Sequence, residues 1–181
     1  MIDLILINEC KKGNLSKFRE LIGKSIPFAY SVAFRMTGDD DQAKDIVQES
    51  MITIWKKLEK IRSSESFKTW LYKIVINKCY DYLRKRKRLL ETKIDEKTWK
   101  ILSDNIPEEY SSELENNEIA CLINVLSQKL SPKQKAVFVL SDIEEMTNGE
   151  ISAITGLTKE NVKSNLYHAR KRVSEMIKKF I

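Results

Sequence analysis

The chain has 181 residues, 42% of them hydrophobic, and a formal charge of +6 from 32 basic and 26 acidic side chains, enough apolar material to bury cores without metals or disulfides. With only five glycines and three prolines, and with Lys, Glu, Leu and Ile at helical spacing, a turn-rich sheet protein is disfavoured and an all-α chain is expected. Cys10, Cys79 and Cys121 lie far apart with no C-x-x-C pair or neighbouring histidine, and the N-terminus lacks a signal sequence's cationic lead and long apolar run, so reduced thiols in a cytoplasmic protein are expected, with no metal and no cofactor.

The charge is unevenly spread. Residues 61–90 carry nine basic and two acidic groups, 91–127 three and nine, and 128–181 ten and six. Two basic blocks flank an acidic stretch, the pattern of two polyanion-facing modules on a tether.

In chain order, Leu15, Phe18, Leu21, Ile22, Val32, Ala33 and Met36 recur at helical spacing, and Pro27 predicts two helices or one bent one. After Gly38, the run "DDDQ" supplies an Asp cap for a helix that buries Ala43, Ile46, Val47, Met51, Ile54 and Leu58. Its opposite face carries Asp45, Gln48, Glu49, Ile52 and Lys56, an acidic and apolar mixture suited to docking on a protein. A polar loop, "IRSSESF" at 61–67, precedes a helix expected to begin at Phe67 with Ser66 as its cap. Phe67, Trp70, Tyr72, Tyr80 and Tyr82 crowd that helix, and one buried stripe cannot hold them all, so some are expected to face outward. The run "RKRKR" at 84–88 ends it. Aromatic rings beside such a cationic run suit single-stranded nucleic acid, with rings stacking on bases while Lys and Arg follow the backbone.

Residues 91–118 lose periodicity and read as a flexible acidic linker, with a short helix around Trp99. The helical pattern resumes at Ile119. Ser131-Pro132-Lys133-Gln134 is a capping box with Pro at the first helical position, opening a helix to about Ile143. Thr147 to Glu150 is a second box, Gly156 a left-handed stop and Thr158 the cap of a last helix. Short helix, Gly turn and longer helix make a helix-turn-helix. In the last helix Val162, Leu166, Ala169 and Val173 form the buried stripe. Lys159, Asn161, Lys163, Ser164, Asn165 and His168 are then placed for base edges or phosphates in a major groove, and Arg170, Lys171 and Arg172 for phosphates.

Taken together, "AFRMTGDDDQAKDIVQESMITIWKKL", "SFKTWLYKIVINKCYDYLRKRKR", "LSPKQKAVFVL" and "GEISAITGLTKENVKSNLYHARKRV" resemble the extracytoplasmic-function (ECF) subfamily of the sigma-70 family of bacterial RNA polymerase sigma factors, over nearly the whole chain. The resemblance implies that 1–90 binds core polymerase and recognises and melts the promoter −10 element, that 91–118 is a linker, and that 119–181 reads the −35 element. It implies that Asp45, Gln48, Glu49 and Trp55, with Ile52 beside them, dock on the β and β′ subunits of the core. It further implies that the loop Arg62, Ser63, Ser64 to Ser66 captures a flipped base, with Tyr72, Asn77, Lys78, Arg84 and Arg86 near the opened strand. Asn165 stands where the family most often has arginine. Signal sensing is expected in a separate protein, an anti-sigma factor. The competing readings are a stand-alone helix-turn-helix regulator and a nucleic-acid enzyme, the latter opposed by the lack of a nucleophile, metal cluster or phosphate loop at usable spacing.

Overall fold

The computed structural model describes residues 4–61, 63–93 and 125–178, with backbone alone at 64–66 and 89–93. Its elements are α1 (Leu4–Lys11), α2 (Leu15–Thr37), α3 (Asp40–Lys57), a 3₁₀ turn (Leu58–Lys60), α4 (Ser64–Lys93), α5 (Pro132–Phe138), a π turn (Val139–Ile143), α6 (Asn148–Thr155) and α7 (Lys159–Ile177). Among the described residues there is no strand, as the composition requires.

The punctuation of the chain is local chemistry. Asn14 accepts from the Lys17 amide and opens α2, which closes at Gly38, left-handed at φ 68°, with its N–H on the Phe34 carbonyl. Asp39 accepts from the Gln42 amide, so the acidic run is a cap and a favourable charge at the N-terminus of α3. The boxes at Ser131 and Thr147 are both reciprocal, Gly156 is left-handed at φ 74°, and Thr158 caps α7. Pro27 does not split α2, which runs as one helix through it. The proline ring crowds the carbonyl four residues back, and that residue is Gly23, whose Cβ position is open. Buried Ser25, Thr37 and Ser50 give their hydroxyls to carbonyls one turn back, which removes the penalty of an unpaired polar group.

Helices α1 to α4 form one module, with α2 packed on α1, α3 and α4, and α3 on α4. In the second module α5 and α6 both lie on α7, the helix-turn-helix expected from the caps. The second module is small, and a unit of this size is marginal on its own resources. Beyond a minor cluster of Leu130, Phe138, Ala169 and Val173, its apolar residues Ala136, Val137, Val139, Leu140, Met146, Ile151, Ile154, Val162 and Leu166 join a core shared with the first module. Each Val, Leu, Ile or Met among these contributes about 1.5–3 kcal/mol when fully buried.

The junction is made chiefly by α6 on α4, with the π turn and α5 against α2 and α5 against α4. It corrects one expectation. None of the five aromatics of α4 is exposed: Phe67 and Tyr72 are buried, and Trp70, Tyr80 and Tyr82 are half-buried and packed against the core. A single stripe could not hold them, but α4 buries one face in its own module and another under the second.

Polar groups fasten the same junction at two places. At the C-terminus of α2, Gln128 donates to the Arg35 carbonyl at 2.9 Å, and Lys135 donates to the Met36 carbonyl at 3.2 Å and to Gln128 Oε1 at 2.6 Å. The second module thus caps the last carbonyls of a helix in the first and sets a cation at the negative end of its dipole. Gly38 makes room for this, since a Cβ there would meet the Gln128 side chain at 2.9 Å. At the other place, Glu144 accepts from Ser31 Oγ at 3.0 Å and from the Tyr72 hydroxyl at 2.6 Å.

Burial, with the charge of Arg86 second, pushes the Lys135 amine from its ordinary 10.5 down to about 8. The unfolded chain therefore holds more protons than the folded one between about 8 and 10.5, and stability rises with pH across that window by on the order of 1 kcal/mol per unit. Cys79, whose thiol burial pushes from 9.0 up to about 12, and Tyr72, whose hydroxyl burial and Glu144 push upward, act in the opposite sense above their ordinary 9.0 and 10.0, in wild type and Lys135 variant alike, so the Lys135 contribution is read from the difference between the two chains. Urea unfolding at pH 8 and 9.5 is expected to show the wild type gaining on Lys135→Met; parallel pH dependence in the two would contradict this account of the buried amine.

Candidate nucleic-acid interfaces and protein-docking face

Three solvent-facing surfaces carry the residues singled out by the sequence. On α3, the buried row Ala43, Ile46, Val47, Ser50 and Ile54 fixes the helix against its module and turns Asp45, Gln48, Glu49, Ile52 and Trp55 to solvent. Asp45, Gln48, Ile52 and Trp55 succeed one another at three- and four-residue steps and so form a single stripe, with Glu49 beside it. Ile52 and Trp55 are 48% and 47% exposed, large for apolar side chains on a free face. Phe18, from the start of α2, meets the Trp55 ring edge-on at 4.4 Å and widens the apolar end of the stripe. Glu49 forms an ion pair with Lys78 of α4 at 2.7 Å, and this hydrogen bond and charge hold its carboxyl below the usual range.

On α4, Asn77, Arg84 and Arg86 are exposed, and Lys78 is half-buried. Asn77 and Arg84 lie two turns apart on one face. Tyr72 is elsewhere: five positions from Asn77, it is turned by about 140° around the helix and lies buried under the second module on Glu144. The loop expected at 61–67 is shorter than its sequence suggested. Helix α4 begins at Ser64, with the Phe67 amide on the Ser63 carbonyl, so Ser64 and Ser66 lie in its first turn and not in a loop. Of that group only Ser63 keeps an irregular backbone, and Arg62 lies outside the described residues. Helix α4 also runs three residues past the expected boundary at 90, to Lys93. The rest of the linker, including the helix expected around Trp99, lies outside the described residues, as do residues 119–124, and the chain re-enters as helix at 125–127.

The third surface is α7. Val162, Leu166, Ala169 and Val173 are buried as their spacing requires. Lys159, Asn161, Lys163, Ser164, His168, Arg170 and Lys171 are exposed, and Asn165 is half-buried with its amide on the Asn161 carbonyl at 2.7 Å. The turn before α7 is tied by Ser152, whose hydroxyl donates to the Leu157 carbonyl at 2.6 Å. Arg170 differs from its neighbours. Its guanidinium grips Asp142 of the π turn through Nε at 3.0 Å and Nη2 at 2.5 Å, a two-pronged pair that fixes its direction.

Sequence comparison matches residues 21–89 to Sigma-70 region 2 and residues 122–173 to Sigma-70, region 4. A probable RNA polymerase sigma factor of Haemophilus influenzae is 32% identical over 152 residues, 77% of this chain and 78% of that protein. The RNA polymerase sigma factor SigV of Bacillus subtilis is 31% identical over 142 residues, 78% of this chain and 80% of that one, and the ECF RNA polymerase sigma factor SigW of the same organism is 27% identical across 95% of each. The chain belongs to the ECF sigma factors of the sigma-70 family. Its fold is shared with the sigma factor RpoE of Bartonella quintana, solved with the anti-sigma factor NepR, at a TM-score of 0.68 and 22% identity over 91% of this chain and 98% of that one. It is shared also with CnrH, solved with the cytosolic domain of CnrY, at a TM-score of 0.65 and 22% identity over 97% of each.

In this sigma factor the region 2 match covers most of α2 and then α3 and α4 to residue 89, and the region 4 match covers α5, α6 and most of α7. The structure adds surface residues the sequence reading passed over. Tyr167, 63% exposed, lies with Asn148, Lys163, Leu166, Arg170, Lys171 and Ser174 around an open hollow of about 540 Å³ between α7 and the start of α6. Lys163, Tyr167, Lys171 and Ser174 fall at helical steps on one side of α7. That spacing is legible in the sequence, but Tyr167 carries no charge to mark it. Asn148 could not be found that way, because its position depends on how α6 crosses α7.

Proposed function

We propose that this ECF sigma factor directs core RNA polymerase to its own promoters by giving the three surfaces separate tasks. Region 2, within 1–90, docks on the β and β′ subunits through the α3 stripe of Asp45, Gln48, Glu49, Ile52 and Trp55. The same region holds the melted −10 strand with Asn77, Lys78, Arg84 and Arg86 of α4, together with Tyr72 and the segment Arg62 to Ser66. Region 4, within 119–181, reads the −35 element as duplex through α7, with Lys159, Asn161, Lys163, Ser164, Asn165 and His168 toward the groove and Lys171 toward phosphate. Arg170, tied to Asp142, positions the helix and offers its remaining N–H groups to the backbone. The observation that carries the reading is α7 itself. A fully buried stripe on one side and a wet, cationic, hydrogen-bonding side on the other, preceded by a capped short helix and a left-handed glycine, is the arrangement that places a helix in a major groove.

The stand-alone regulator is less well supported, because it leaves the exposed Ile52 and Trp55, ringed by Asp45, Gln48 and Glu49, without a task. An acidic and apolar stripe repels the phosphate backbone and suits a protein partner. The work assigned here is recognition and strand capture, that of a transcription initiation factor. No helix among the described residues is long and apolar enough to cross a membrane. An anti-sigma factor is the expected regulator, a role that NepR fills for the structural neighbour RpoE.

Run-off transcription with core polymerase and this chain is expected to start at a discrete promoter where core alone is silent. Glu49→Lys reverses a charge in the docking stripe and opposes Lys78 with a like charge. It is expected to abolish core binding in a pull-down while leaving the far-ultraviolet circular dichroism of the chain unchanged; unaltered core affinity would remove Glu49 from the docking face. Lys163→Ala should weaken promoter duplex binding and lower the slope of log K against log salt by about 1. A slope equal to that of the wild type would take Lys163 off the DNA.

A further inference from the structure

Arg170 differs from Lys171 beside it in how it is held. Lys171 meets Glu175, one turn further along the same helix, at 4.0 Å through a single ammonium group. Arg170 reaches instead to a separate element, giving Asp142 its Nε at 3.0 Å and its Nη2 at 2.5 Å. A planar fork held at two points keeps one orientation. The anchor beneath it is firm. Asp142 lies in the π turn Val139–Ile143, whose Val139 and Leu140 are fully buried, and the turn is closed by the Glu144 amide on the Val139 carbonyl and the Met146 amide on the Leu140 carbonyl. The Asp142 side chain is 21% exposed and that of Arg170 58%, so the carboxylate lies beneath and the cation is the outer partner.

The pair changes the arginine in two ways. A guanidinium has five N–H donors, and Asp142 takes one from Nε and one from Nη2. What remains is the Nη1 edge with the outer Nη2 hydrogen, a fork shaped for a phosphate and directed away from the carboxylate. Arg170 carries it on the rim of the hollow that α7 shares with the start of α6. The second change is electrostatic. A carboxylate in direct contact cancels much of the charge that would draw Arg170 to any phosphate, so the contact gains most where an oxygen meets the fork in place. A lysine on the same helix accepts a phosphate from many directions; this arginine accepts one from few.

We propose that Asp142 is a specificity-determining positioning residue, which holds Arg170 in one pose and mutes its charge so that α7 favours a correctly seated promoter duplex over any other. The inference rests on the reading of α7 as the −35 helix. Phosphate contacts carry no base information themselves, but they fix the register in which the base-edge residues work. A free cation at this place would strengthen every register alike, because counterion release is indifferent to sequence. Asp142 therefore acts through Arg170 and not on the DNA.

The test uses holoenzyme reconstituted from core polymerase and the full chain, in the cold where the strands stay paired. Two probes are compared: a duplex carrying the promoter located by run-off transcription, and the same duplex with its −35 segment shuffled. Asp142→Asn keeps the shape of the side chain and removes its charge. It should raise affinity for the shuffled duplex about fivefold near physiological salt and steepen the slope of log K against log salt by about 0.9, one more phosphate being neutralised. Affinity for the promoter should change little, since the added charge offsets the lost pose, and preference for the promoter should fall on the order of fivefold. Asp142→Glu, which returns the carboxylate, should restore much of that preference. In an Arg170→Gln background Asp142→Asn should alter neither slope nor preference, because the residue through which it acts is gone. A slope and a preference equal to those of the wild type in Asp142→Asn overturn the proposal, and so does an equal change in the Arg170→Gln background. A merely structural clip would lower the unfolding temperature and weaken both duplexes together at an unchanged slope, which also overturns it. Wild-type holoenzyme that binds the two duplexes equally strikes the reading of α7 as the −35 helix and the proposal with it, whereas discrimination by the wild type that survives Asp142→Asn strikes the proposal alone.

Discussion

Helix α4 is buried on two sides, and the rest of the structure depends on that. From Phe67 to Cys79 it presents Leu71, Val75, Ile76 and Cys79 as buried core positions, while Tyr72 lies under the second module. The first module needs α4 as the helix on which α2 and α3 close. The second packs α6 and α5 against it, so that most of its buried apolar residues run into one core continuous with the first module's. A single helix therefore sets the position of all three outward surfaces: the acidic and apolar stripe of α3, the basic end of α4 itself and the wet face of α7.

This arrangement links charge to packing. The fold brings Arg86, a cation of one basic block, close enough to the buried Lys135 of the other for its charge to help lower the amine's pKa. Meanwhile it joins opposite charges where elements meet: Glu49 with Lys78 between α3 and α4, and Asp142 with Arg170 between the π turn and α7. These partly exposed pairs contribute little to stability. Their consequence is directional, since each fixes the pose of a side chain on a surface assigned to DNA or polymerase. Lys78 in particular is held by Glu49, which lies beside the α3 stripe.

Much of this was legible in the amino-acid order. Caps at Asp39, Ser131, Thr147 and Thr158, and the left-handed stop at Gly156, are short-range chemistry, and each falls where its residues indicate. The buried stripe of α7 follows from a period of 3.6 in the same way. The rest needed tertiary structure. Pro27 allowed either a break or one bent helix, and the chain runs as a single helix through it. The crowded rings of α4 argued for exposed aromatics, and a second module covered them instead. Lys135 reads as one more cation of a basic block, and nothing within ten residues of it shows that its partner is the end of a helix almost a hundred positions earlier. Glu144 is likewise silent in sequence, because its two hydroxyl partners lie on separate helices of the other module.

The central claim is that the unbound chain is one body folded about α4 and not two modules on a tether. Small-angle scattering of the isolated protein tests it most directly. A chain of this length packed as one body has a radius of gyration of about 16 Å, and the account predicts a value near it with a bell-shaped Kratky profile. A radius beyond about 24 Å, with two maxima in the pair-distance distribution, would contradict it.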